Sequence, residues 1–82
     1  MIMVKAVVLI SVEVGKEEET LETLRDIPEI ERAYFVYGVY DIVAIISGKS
    51  LDDIRSTVVN SIRKMPSVRS TVTMVVVKEV PE

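Results

Sequence analysis

Residues 34–47 read YFVYGVYDIVAIIS, an apolar stretch interrupted in its middle by Gly38, Tyr40 and Asp41. The segments on either side, Glu31 to Tyr37 and Asp41 to Ser47, are rich in β-branched and aromatic residues and are too short for core helices. Two strands joined this closely at Gly38 predict an antiparallel hairpin. The hairpin decides the fold, because a strand and a helix precede it and a helix and a strand follow it.

Upstream, Lys5 to Glu13 (KAVVLISVE) reads as a strand, and Gly15 breaks the chain. Lys16 to Ile27 carries Leu21, Leu24 and Ile27 three apart, with Glu17, Glu18 and Glu19 where acids suit the positive end of a helix dipole. Pro28 cannot continue that helix. Downstream, Ser50 is a candidate N-cap, with Asp53 where a capping box usually has Glu. Leu51, Ile54, Val58 and Ile62 then mark one helical face, Arg63 and Lys64 sit near its end, and Pro66 stops it. Val68 to Lys78 is the last strand, and Pro81 and Glu82 form a short tail. The order β-α-β-β-α-β predicts a single α+β domain over residues 1–82, with a ferredoxin-like sheet and both helices on one face.

Composition narrows the chemistry. The 82 residues contain no Cys and no His, which removes thiol nucleophiles, thiolate sites and the commonest general base and metal ligand. No metal or cofactor is expected. The net charge is −3 and the basic residues are dispersed, so direct nucleic-acid binding is not expected. The apolar runs are far shorter than the ~20 residues of a membrane span. The opening Met-Ile-Met-Val-Lys lacks a signal-peptide pattern, and a cytoplasmic protein is the expectation. Scarce Cys, Gln and Asn are compatible with a thermophilic source.

Two helices cover only one face of a four-stranded sheet, and a wetted second face should alternate apolar with polar residues. These strands do not alternate in that way. Ala6, Val8 and Ile10 oppose Val7 and Leu9; Ile42, Ala44 and Ile46 oppose Val43 and Ile45. In the last strand Val72, Met74 and Val76 oppose Thr71, Thr73, Val75 and Val77. An apolar patch of this kind usually marks an interaction surface, and a homodimer with its two sheets packed face to face is the expectation.

The Gly-Val-Tyr-Asp segment admits two readings. As a turn, Gly38 supplies conformational freedom and Asp41 bonds local backbone. As a binding loop, exposed backbone N–H groups would take the carboxylate of a zwitterion while Asp41 takes its ammonium. Ser70, Thr71 and Thr73 add hydroxyls on the last strand, although Thr is also common there through β-propensity alone.

The whole chain resembles the RAM domain, the effector-binding and oligomerising half of Lrp/AsnC (feast/famine) transcription regulators. The resemblance rests on the apolar first strand, the proline-limited helix, the hairpin VYGVYDIVAII and the segment KMPSVRSTVTMVV at residues 64–76. Gly38-Val39-Tyr40-Asp41 corresponds to the family's Gly-x-Tyr/Phe-Asp, and Ser70-Thr71-Val72-Thr73 to its hydroxyl-rich last strand. The resemblance implies a dimeric α+β barrel that assembles further, often as an octameric ring of four dimers. It implies an amino-acid effector between dimers, bound by Gly38, Val39, Tyr40 and Asp41, with Thr71 and Thr73 as further ligand-binding candidates.

The regulators also carry an N-terminal helix-turn-helix domain, whereas this sequence begins at the first RAM strand. A stand-alone RAM protein is therefore the expectation, acting by co-assembly with full-length regulators or by modulating them. Tyr37 stands where many relatives have a small hydroxyl residue, which leaves effector choice open. Two rival classes share the element order. An ACT-like amino-acid module usually has a Gly/Asp-rich loop after its first strand, and Val14-Gly15-Lys16-Glu17 offers little of this. A dimeric α+β-barrel enzyme commonly uses His, Trp or Asn, of which His and Trp are absent here, and a lone Asp41 beside Tyr40 is thin catalytic machinery. The expected protein is a regulatory domain and not an enzyme.

Overall fold

A computed structural model describes residues 3–81; the first two residues of the Met-Ile-Met-Val-Lys start, and Glu82 of the tail, lie outside it. The elements run β1 (Val4–Val12), α1 (Glu17–Leu24), β2 (Ile30–Phe35), β3 (Ile42–Gly48), α2 (Leu51–Thr57) and β4 (Val68–Val75). The strands form one antiparallel sheet in the order β2-β3-β1-β4, the ferredoxin-like arrangement. Apolar β1 and β3 lie in the centre, where strands have neighbours on both sides.

Side chains alternate as the sequence predicts. Ala6, Val8, Ile10 and Val12 of β1 and Ile42, Ala44 and Ile46 of β3 are buried under the helices. They pack against Leu24 of α1 and against Ile54, Val58 and Ile62 on the α2 side. Burying each of the Val, Leu and Ile side chains stabilises the fold by ~1.5–3 kcal/mol. Leu51, predicted on the same helical face, is 60% exposed instead. It occupies the first turn of α2, on the rim of the open space between that helix and β4.

Local chemistry sets the helix ends. The Ser50 hydroxyl accepts the Asp53 amide hydrogen at 3.2 Å, while Asp53 Oδ2 accepts from the Lys49 amide at 2.9 Å. The shorter Asp thus serves the residue before the N-cap instead of the N-cap itself. Helix α2 continues into a π-helical turn, Val58–Ile62, in which the Arg63 amide donates to the Val58 carbonyl at 2.8 Å. Helix α1 is shorter than the predicted Lys16–Ile27. Beyond Leu24 its amides at Asp26 and Ile27 bond three residues back, a tightened turn that leads into Pro28. Gly15 precedes α1 with φ +87°, a left-handed conformation that favours glycine.

One core contact was not foreseen from the sequence. Thr20 is buried in α1; its hydroxyl donates to the Lys16 carbonyl at 2.7 Å and lies 2.6 Å from the Ser67 hydroxyl. This ties α1 to the approach to β4. A threonine among glutamates carries no apolar signal, so periodicity passes it over.

Candidate functional site

The β2–β3 connection is a six-residue loop, residues 36–41, and not a tight turn at Gly38. β2 ends at Phe35 instead of Tyr37 and β3 begins at Ile42 instead of Asp41, with one anchored residue at the bend between them. That residue is Asp41. Its amide donates to the Ile10 carbonyl at 3.0 Å, and its carbonyl accepts from the Val36 amide at 2.8 Å. Its side-chain Oδ2 accepts from the Val12 amide at 2.8 Å.

Ile10↔Ile42 is the last described pair between β1 and β3, so Val12 has no backbone partner from β3. The Asp41 carboxylate takes the place of a ladder carbonyl, while the Asp41 backbone closes the hairpin on the other side. This reaches across the sheet, not to the local backbone expected at a turn.

Gly38 also differs from expectation. It does not adopt the left-handed conformation, and a Cβ built on it meets nothing within 4 Å. The loop therefore does not need glycine for its own conformation. Tyr37 and Val39 project fully into solvent, Gly38 is exposed, and Tyr40 and Asp41 are half-buried. The result is an apolar tip on a loop whose base is pinned to β1.

Thr71 and Thr73 lie on the helix side of the sheet, since they pair with Ile10 and Val8 in register. They sit on β4, an edge strand. Together with Ile54, Val58, Val75 and Arg63 they line an open groove of about 500 Å³ between β4 and α2. Gly38, Val39, Tyr40 and Asp41 do not line this groove. Within one chain the two halves of the sequence-predicted site thus occupy different places.

The opposite face is apolar without helices. Leu9 pairs with Val43 and Val72, and Val7 with Ile45 and Met74. Tyr34 joins them from β2 beside Val43. Tyr34, Val72 and Met74 are 51%, 39% and 46% exposed, so the second face carries its large side chains into solvent. Among the described residues no group of three or more His, Cys, Asp or Glu is gathered as a metal site. Among the described residues no helix is long and apolar enough to cross a membrane.

A helix-covered antiparallel sheet with a projecting loop and an open apolar face is shared by many ferredoxin-like modules, and the fold alone does not fix the function. Residues 5–82 match the Lrp/AsnC ligand binding domain. The chain belongs to that family. It is 32% identical over 62 residues to YugG of Bacillus subtilis (strain 168), an HTH-type transcriptional regulator, covering 76% of this chain and 37% of the regulator. The chain thus spans little more than a third of that relative.

Among solved structures, the protein PHS023 from Pyrococcus horikoshii is 38% identical, with TM-score 0.85, covering 94% of this chain and 93% of its own. The regulator NMB0573 of Neisseria meningitidis, solved as a complex with L-Met, superimposes with TM-score 0.86 over 96% of this chain and 53% of its own. Its identity is 16%, a likeness of fold.

Proposed function

We propose that this domain binds a free amino acid or a related small molecule at a junction between copies of itself, and so adjusts transcription through full-length Lrp/AsnC regulators. The observation that carries the reading is the Asp41-anchored loop, which presents Tyr37 and Val39 to solvent on either side of a glycine that the backbone itself does not require. A fixed apolar tip beside exposed backbone suits contact with another molecule. The loop residues Gly38, Val39, Tyr40 and Asp41 form one wall of the proposed site. Thr71 and Thr73 join it from the edge strand of a neighbouring copy. Family membership supports a ligand-binding role, and the L-Met complex of the Neisseria regulator supports an amino acid as the ligand class.

The unit of assembly in this reading is a homodimer through the helix-free face, with dimers joining further into an octamer. Its partners are an amino acid and full-length regulators such as the YugG type, with no direct contact to nucleic acid, no catalysis and a cytoplasmic location. Light scattering of the purified chain across a panel of free amino acids, methionine included, with calorimetry on each hit, tests the reading. One amino acid should bind and shift the assembly. A stable dimer indifferent to all of them would overturn it.

A further inference from the structure

The groove between α2 and β4 has features beyond the two threonines that the proposed amino-acid site uses. Its floor is apolar: Ile54 and Val58 are buried and Val75 closes the sheet side. Thr71 and Thr73 add two hydroxyls that take part in none of the described hydrogen bonds. Arg55, Val59 and Arg63 recur every four residues along the rim. Among the described residues neither arginine forms an ion pair, so both guanidinium groups are open to a ligand. The rim carries Val59 and Arg63 from the π-helical turn and its end, a distortion frequent at functional sites.

A volume of about 500 Å³ lies within the range of small-molecule pockets, which combine apolar walls with a few placed polar groups. We propose that this groove binds a monocarboxylate with an apolar tail, the carboxylate held by Arg55 and Arg63 and the tail lying on Ile54, Val58 and Val75. Guanidinium groups without an acidic partner match a carboxylate in charge and in hydrogen-bond geometry. Asp52, one helical turn before Arg55 on the rim, disfavours a ligand that carries a second carboxylate. The site lies within one chain; it shares Thr71 and Thr73 with the proposed amino-acid site but rests on Arg55 and Arg63, which that site does not use.

The test is a chemical-shift titration of the ¹⁵N-labelled full chain with 4-methylpentanoate, using 4-methylpentanamide as the neutral control. The acid should give saturable shifts at Val58, Val59, Arg63, Thr71 and Thr73, and the amide should bind roughly tenfold more weakly. Arg55→Gln with Arg63→Gln should weaken the acid by a similar factor; both residues are exposed, so the urea midpoint should hold. Absence of saturable shifts, equal binding of acid and amide, or shifts confined to residues 36–41 would each overturn the assignment. So would a double variant that binds as before. A double variant that changes oligomeric state, with no carboxylate binding by the unaltered chain, would give the groove to a second copy instead.

Discussion

Asp41 and Val12 lie 29 residues apart in sequence and are joined by a 2.8 Å hydrogen bond from the Val12 amide to the Asp41 carboxylate. The bond closes the central end of the sheet where β3 has run out. An acid that could serve a ligand is therefore already holding the loop to the fold.

This pairing separates the substitutions at Asp41. Asp41→Ala leaves the partly buried Val12 amide without its acceptor and should cost about 1–3 kcal/mol in urea denaturation. Asp41→Asn keeps a carbonyl oxygen in place and should cost about half as much or less. Equal stability of Asp41→Ala and the unaltered chain would show that the bond contributes nothing. Loss of amino-acid binding in the Asn variant, at retained stability, would assign the charge to the ligand.

Gly38 offers the cleaner probe of the loop. Gly38→Ala meets open space and no left-handed backbone, so stability should change by no more than about 0.5 kcal/mol. If a ligand or a neighbouring copy packs against Gly38, the same substitution should weaken amino-acid binding or assembly, read by calorimetry and light scattering.

Gly48 should behave in the opposite way. A Cβ there would lie 2.7 Å from the Asp53 Cβ, in the helix that caps the end of β3. Gly48→Ala should destabilise by about 1–3 kcal/mol through overpacking, seen as a lower urea midpoint at unchanged slope. A neutral result would mean that the start of α2 yields easily.

The helix-free face makes a direct prediction about assembly. Leu9 lies at its centre, flanked by Val43 on β3 and Val72 on β4. Leu9→Lys should leave the helix-side core untouched and convert the proposed dimer to monomer, measured by sedimentation velocity. An unaltered dimer would move the interface elsewhere.

Much of this was legible in the sequence because it is written in short-range patterns. Strand alternation assigned both faces of β1, β3 and β4, since side chains in a strand must point in turn to either side. Proline and the Ser50 cap marked helix ends, because they act on backbone groups nearby. The repeated apolar positions Ile54, Val58 and Ile62 found the core, and the family resemblance lay in the first strand, the proline-limited helix, the hairpin and residues 64–76.

What only the tertiary structure decided involves residues far apart along the chain. The role of Asp41 depends on where β1 ends relative to β3, a register that local composition does not encode. The buried Thr20–Ser67 contact spans 47 residues between two hydroxyls that look solvent-facing in isolation. Thr71 and Thr73 turn toward α2 because they pair with buried Ile10 and Val8. Local sequence determines which segments become strands and helices and which sides are apolar; only strand pairing determines which polar groups meet.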